Sequence, residues 1–443
     1  VLSYFERTYM SESLLYDLKV EIVPIEVLKP YNNNARIHSP KQIQQIANSI
    51  KEFGFMNPAL IDSCGGVMAG HGRIEAAKKL GLKSIPVIRT DHLTDAQRKA
   101  YIIADNKIAA NAGWDKDILA IELQYLTLET NFEIEVTGFE MSEIDVLIDG
   151  AEILEPHEEI PELDHTVTIT KPGDVWQLGS HLLICGDSTK PDTYNQLLGG
   201  QHAQMIFTDP PYNVPIQGHV CGNGKIKHDE FAMASGEMTE QEFRQFLKNF
   251  MIQTRAFSQD GSLHYICMDW RHIDMLLLEG KQCFAELKNI CVWNKDNGGM
   301  GALYRSKHEF VVVFKHGTAP HINNIELGKY GRYRTNVWDY AGVNSFAGRQ
   351  SDLKMHPTVK PVALVADAIK DCTKRGHIVL DPFAGSGTTL IAAEKTGRIA
   401  RCIELAPKYC DVIIRRWQAL TGKDAFNLDS FATFNEMAGG KYE

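Results

Sequence analysis

Hydrophobic positions along the chain follow two different periods, and the organisation changes where the period does. Between residues 20 and 92 the short apolar runs VEIVPIEVL (20–28) and GGVMAG (65–70) predict strands. PKQIQQIANSIKEFG (40–54) and RIEAAKKLG (73–81) space apolar residues three and four apart and close on a glycine, which predicts helices. Elements of that size make a small α+β domain, taken over 17–92. From 93 to 150 the pattern is a helical extension (96–109, 115–129 and 142–148) in which no clear helix-turn-helix is visible. The stretch 151–165, AEILEPHEEIPELDH, holds two prolines and six acidic side chains without a cation, and predicts a solvated acidic linker. Beyond it, strand-like runs alternate with helix-like ones: HLLICGD, AQMIFTD, SLHYICM, NICVWNK, EFVVVFK, HIVLDPF and RIARCIEL. Such alternation predicts an α/β domain over 166–434, with a mostly parallel sheet covered on both faces.

The 443 residues give room for two or three domains, and 44% hydrophobic with 23% charged residues excludes a largely disordered or fibrous chain. No apolar run approaches the roughly 18 residues of a bilayer span, and residues 1–10 lack the layout of a signal peptide, so the expected compartment is the cytoplasm. Nine cysteines without a CxxC pair argue against a disulfide framework and against a thiolate zinc site. The net charge of -10 speaks against a nucleic-acid partner only until it is divided along the chain. Residues 166–443 hold 31 basic against 29 acidic side chains, and 288–360 hold 11 against 5, a local excess of the kind a phosphate backbone attracts.

Two motifs carry chemistry. In Asp381-Pro-Phe-Ala-Gly-Ser-Gly-Thr-Thr389 a strand ends in a glycine turn that opens the helix TTLIAAEKTG, so a ligand can approach the backbone and meet free N–H groups. It is neither the dinucleotide fingerprint nor a phosphate loop, because the third glycine and the Lys-Ser/Thr pair are missing. Glu404 ends the next strand, 23 residues on, at a spacing where a carboxylate can take both hydroxyls of a ribose. The second motif, Asp209-Pro-Pro-Tyr212, follows the strand QMIFT. The lone pair of a nucleobase exocyclic amine is delocalised into the ring and must be redirected before it can attack. Asp209 and the Pro210 carbonyl can each accept one N–H, Pro210 and Pro211 stiffen the loop, and Tyr212 offers a stacking face. Such a pocket cannot reach a base inside a duplex, so the base must be flipped out. The plain alternative for these four residues alone is a tight turn capping a strand.

From about 170 to 430 the chain resembles the beta-group of amino DNA methyltransferases, adenine-N6 and cytosine-N4 enzymes that use S-adenosylmethionine. The resemblance rests on GDS (Gly186 to Ser188), DPPYN (Asp209 to Asn213), YRSKHEF (304–310), HPTVKP (His356 to Pro361) and DPFAGSGTT, in that order. It implies a Rossmann-like methyltransferase sheet with permuted motif order and, as cofactor, S-adenosylmethionine. Asp381, Phe383, Gly385, Gly387 and Thr388 would line its methionine end, Glu404 its ribose and Asp187 its adenine, with His356 and Lys360 completing the pocket. For the last two, a turn residue and a solvated lysine are the competing readings. No metal is called for, because a sulfonium is already a good leaving group. Asp rather than Ser in the catalytic loop favours adenine-N6, with cytosine-N4 as the alternative; carbon-5 chemistry would need a thiolate that no cysteine here is placed to supply. DNA recognition is expected in 315–354, where Arg332, Arg334 and Arg349 could pair with phosphates or guanine edges and Tyr330 and Tyr333 could stack. Double-stranded DNA is the expected partner, a homodimer is left open, and a restriction-modification system or a mobile element is the implied setting.

Residues 20–92 resemble the N-terminal domain of ParB-type partition proteins, through PIEVLKPYNNNARIH, QIANSIKEFGFMNPALI and VMAGHGRIEAAKKLGLKSIPVI. The likeness implies nucleotide contacts at Arg36, Gly70, Gly72 and Arg73. The family's turn usually ends in two arginines and only Arg73 stands here, which counts against nucleotide hydrolysis; a tight turn in a docking domain is the plain alternative. From another functional class, the rival is a ParB-like nucleotide- or DNA-binding module whose transferase half only senses methyl donor. His219, Cys221 and His228 flank a glycine-rich loop after DPPY whose spacing matches no standard zinc pattern, so a lid over flipped DNA is expected there.

Overall fold

The computed structural model describes all residues except 1–17, 32–33, 129–132, 151–167, 215–235, 297, 299–302, 326–333, 342–359 and 440–443. The chain divides into two compact units, Val1–Ala151 and Glu152–Glu443. The predicted linker, the glycine-rich loop with His219, Cys221 and His228, and Tyr330, Arg332, Tyr333, Arg349 and His356 lie outside the described residues.

In the first unit, strands β1 (Val20–Pro24), β2 (Ala59–Ile61), β3 (Val67–Ala69) and β4 (Ser84–Arg89) form one sheet in the order β1-β4-β2-β3. Helix α1 (Pro40–Phe53) starts where Ser39 accepts the Gln42 N–H at 3.1 Å and Pro40 sets the first turn, and it stops at Gly54. Helix α2 (His71–Lys79) follows Gly70, whose φ of 99° makes it the left-handed residue of the turn. Helices α3 (Asp95–Asn111), α4 (Lys116–Leu128) and α5 (Met141–Gly150) complete the unit, and Leu123, Ile134, Met141 and Ile144 make a separate small core.

The second unit is built on a ten-stranded sheet. Its strands are β5 (Val175–Leu178), β6 (His181–Cys185), β7 (Ala203–Thr208), β8 (Ser258–Met268), β9 (Glu286–Asn294), β10 (His308–Lys315), β11 (Val337–Asp339), β12 (Ile378–Asp381), β13 (Ile399–Glu404) and β14 (Phe426–Asn427). They run in the order β11-β9-β10-β8-β7-β12-β13-β6-β5-β14. The run β8-β7-β12-β13-β6 is parallel, as the alternating pattern predicts, whereas β10 pairs antiparallel with both β8 and β9, and β5 with β6. The flanks are therefore more mixed than the sequence suggests, because β5–β6 and β9–β10 are joined directly rather than through crossover helices. Helices α6 (Pro191–Leu198), α7 (Glu240–Ala256) and α8 (Ile273–Cys283) cover one face, and α9 (Val362–Cys372), α10 (Thr388–Thr396) and α11 (Pro407–Thr421) the other. The strands alternate between them: on β8, Leu263, Tyr265 and Cys267 pack toward α9, and Ile266 and Met268 toward α7 and α8. Among the described residues no helix is long and apolar enough to cross a membrane.

Candidate active site

The parallel register brings four strand ends together. Leu380 of β12 pairs with Ile206 of β7, and Glu404 of β13 with Cys185 of β6, so Asp187, Asp209, Asp381 and Glu404 all fall at the carboxyl edge of the sheet. This is the edge where ligands bind in open α/β sheets. A crevice there is lined by Asp187, Asp209, Pro210, Pro211, Tyr212, Lys360, Asp381, Phe383, Gly385, Thr388 and Glu404 among others. Eleven residues separately expected at the site thus share one cavity.

Within the crevice, Asp381 is a brace. Its Oδ1 accepts the Thr208 hydroxyl at 2.9 Å and the Phe383 N–H at 3.0 Å, its Oδ2 accepts the Thr389 hydroxyl at 2.6 Å, and burial pushes its carboxyl up to about 6. Glu404 accepts the Gly385 N–H at 2.9 Å and the Ala406 N–H at 2.8 Å, with burial pushing it up to about 7. It locks the glycine turn to the end of β13 and keeps lone pairs for further donors. Asp187 accepts the Thr189 N–H and hydroxyl on one oxygen, at 2.8 and 2.7 Å, and its second oxygen is not involved in either bond. Phe383 stands edge-on to Phe250 of α7 at 5.2 Å. Gly387 is expected in the lining but is not among it; at φ 85° it caps α10, and a Cβ there would fall 2.9 Å from Ile413. Its role is to let the helix start against α11. A buried carboxylate able to take a diol, a glycine turn without side chains and the start of α10 suit a nucleoside-bearing cofactor such as S-adenosylmethionine.

Beside that crevice, burial pushes the Asp209 carboxyl up from its ordinary range, Lys360 draws it back and Glu309 adds to the rise. The Tyr212 hydroxyl donates to Asp209 Oδ1 at 2.5 Å, and its ring packs against the core clusters on both sheet faces. Asn213 follows at φ 55°, donating to the Met238 carbonyl and accepting the Gly236 and Met238 N–H groups, so it ties the Asp209–Tyr212 loop to the lead-in of α7. Lys360 lines the crevice, and its ammonium also lies 2.5 Å from Asp209 Oδ2 and 2.9 Å from Glu309 Oε2, so its charge stands against the Asp209–Tyr212 loop. Glu309 and Lys295, which binds its other oxygen, were not singled out by sequence reasoning. The only signal for Glu309 was its place in YRSKHEF; Lys295, beyond the end of β9, carried none.

Arg334 is a correction. Rather than facing DNA, its guanidinium binds Asp371 at 3.1 Å, Asp367 at 3.4 Å and the Tyr340 hydroxyl at 2.8 Å, over the Trp338 ring. Two acidic residues on α9 outcompete solvent for it, and β11, with Trp338 buried, makes the described end of 315–354 part of the sheet rather than a reading loop. In the first unit Arg36 is exposed, while Gly72 leaves room for His38 and Ile46, a Cβ there falling 3.1 and 3.0 Å from them. Arg73 is half-buried, and its Nε has no hydrogen-bond partner among the described residues.

Three family matches agree with this layout. Residues 203–415 match the family described as DNA methylase, 10–106 the ParB N-terminal domain, and 117–172 the ParB-methyltransferase helix-turn-helix domain. The last corrects the expectation that 93–150 holds no helix-turn-helix: α4 and α5 are joined by twelve residues, not the three or four of the familiar turn, and so escape a pattern search. Over 82 residues (18% of this chain and 94% of the relative) the chain is 49% identical to the ParB-like nuclease domain-containing protein YnaK of Escherichia coli. It is 28% identical over 228 residues to the type II methyltransferase M2.MboI of Moraxella bovis (49% of this chain, 81% of the relative). It is 27% identical over 242 residues to the DNA adenine methyltransferase YhdJ of Escherichia coli (49% and 76%). Among solved structures, that of M1.HpyAVI with S-adenosylmethionine is 20% identical, with a TM-score of 0.40 over 53% of this chain and 97% of that one. Residues 203–415 thus belong to the DNA methylase family of N6/N4 enzymes and residues 10–106 to the ParB N-terminal domain: the chain is an S-adenosylmethionine-dependent DNA methyltransferase that carries a ParB N-terminal domain ahead of its methylase part.

Proposed function

We propose that this methyltransferase modifies the exocyclic N6 of an adenine flipped out of double-stranded DNA. The observation that carries the reading is the partly buried Asp209 just past the end of β7, with Tyr212 and Lys360 against it and the crevice at its side. Asp209 and the Pro210 carbonyl each accept one N–H of the amine, which leaves the nitrogen lone pair directed at the crevice. When bound, S-adenosylmethionine supplies an electrophilic methyl group there. Glu404 holds the ribose hydroxyls, and Phe383 with the glycine turn shapes the methionine end. A carboxylate raised from its ordinary range is also the better acceptor for the proton the amine loses. Aspartate in the catalytic loop and the likeness to YhdJ support adenine over cytosine-N4.

The test is transfer of a labelled methyl group to unmethylated DNA, followed by digestion to nucleosides. Label in N6-methyldeoxyadenosine is expected, and label in N4-methyldeoxycytidine would refute the base assignment. Asp209→Ala is expected to lower the transfer rate about 10²–10³-fold, the range for losing one preorganised electrostatic partner.

For the first unit, the half-buried Arg73, whose Nε has no hydrogen-bond partner among the described residues, stands at the start of α2 and supports an anion site at the Gly70–Arg73 turn, the place for a nucleotide. Calorimetric titration with each of the four ribonucleoside triphosphates checks it: binding by the parent and its loss in Arg73→Ala is the expected result.

A further inference from the structure

Glu309 and Lys295 are a second pair of charges beside Asp209 that cofactor binding does not call for. Lys360 lies between the two carboxylates, 2.5 Å from Asp209 Oδ2 and 2.9 Å from Glu309 Oε2, with only 5% of its side chain exposed. Lys295 pairs with Glu309 Oε1, and the Tyr212 hydroxyl stands 3.4 Å from Glu309 Oε2 while donating to Asp209. Two carboxylates and two ammonium groups, drawn from four different segments, balance to zero.

Buried ion pairs are poor sources of stability, so a matched quartet beside a reacting centre asks for another explanation. Asp209 can direct an amine only while ionised, since a protonated carboxyl would point an O–H at the nitrogen. Its burial favours the neutral form, and so does the neighbouring Glu309, whereas Lys360 and the Tyr212 O–H favour the ionised form. The other titratable neighbours are the Cys267 thiol, which burial keeps neutral, and the Asp381 carboxyl, which burial pushes up to about 6. Yet a lysine bound to Asp209 alone would occupy the oxygen the substrate needs. We propose that Lys360 and Glu309 are positioning residues: Lys360 keeps Asp209 ionised in a dry pocket, and Glu309, anchored by Lys295, shares the ammonium so that Asp209 Oδ2 retains a lone pair for the substrate amine. The inference rests on the reading of Asp209 given above.

The experiment is single-turnover methyl transfer by the full chain as a function of pH, at saturating S-adenosylmethionine and DNA, with cofactor affinity and thermal unfolding measured for every variant. Lys360→Met is expected to move the acid limb of the profile upward by about one pH unit or more at saturating cofactor, with partial recovery in Lys360→Arg. Glu309→Gln is expected to move the limb the other way and to lower the plateau, because the ammonium then rests on Asp209 alone. An unmoved limb in Lys360→Met, or a loss explained wholly by weaker cofactor binding, overturns the inference. Should Lys360→Met not fold, Glu309→Gln decides it, and an unmoved or raised limb there overturns it as well. Full activity in Asp209→Asn would sink the reading of Asp209 itself, whereas an inactive Asp209→Asn with unmoved limbs in the other variants would sink only this inference.

Discussion

Glu404 shows how one side chain joins stability and pH to the cofactor-binding role proposed for it. Burial raises its carboxyl from the ordinary 4.5 to about 7, so the folded protein holds that proton more tightly than the unfolded chain does. The associated stability is full below about 4.5 and is lost as pH rises through about 7, a contribution of about 3 kcal/mol at 1.36 kcal/mol per pH unit. In Glu404→Gln the dependence of the cofactor-free melting temperature on pH between those limits is expected to flatten, as thermal melts at stepped pH would record. Only the ionised carboxylate accepts from both ribose hydroxyls, so S-adenosylmethionine affinity is expected to rise from pH 6 to 8 in the parent and to stay level in the variant. Glu404 was visible in the sequence because a strand-ending acid 23 residues beyond Asp381 is a recognisable spacing. Glu309, partly buried, was not visible. Its importance comes from Lys360, 51 positions away, and no local pattern encodes that meeting.

At the scale of elements, the turns on either side of β12 are where conformation and packing can be separated. Gly387 and Gly376 both sit at positive φ, 85° and 77°, but a Cβ at Gly387 would meet Ile413 at 2.9 Å while nothing lies within 4 Å at Gly376. Gly376→Ala is expected to cost only the backbone strain, about 1 kcal/mol, and Gly387→Ala about 1–3 kcal/mol more from the displaced α11. Denaturant melts of the two variants give the difference, and only the second should weaken cofactor binding. The helices were the most legible elements: α1 announced itself by its apolar spacing and Gly54, and α10 by its glycines. The strands β5, β11 and β14, of two to four residues, were not, because such short strands carry no periodic signal and are held by their neighbours.

For the whole molecule, each unit closes its own core, the first around Ala59, Ile61 and Val87 and the second around Trp176, Ile413 and Trp417. A fragment of residues 168–443 is accordingly expected to fold and to bind S-adenosylmethionine with the affinity of the full chain, and calorimetry on the fragment checks this. Sequence alone determined that the chain pairs a ParB-like part with a methyltransferase part, and that catalytic and cofactor motifs come in permuted order, because both rest on contiguous strings whose chemistry is local. Tertiary structure decided which of the expected residues meet. It gathered Asp187, Asp209, Asp381 and Glu404 on one sheet edge, turned Arg334 inward to Asp371 and placed Lys360 between two carboxylates. Those outcomes depend on strand order and register, and contacts between residues far apart in the chain are fixed by how the sheet pairs rather than by any neighbour in the chain.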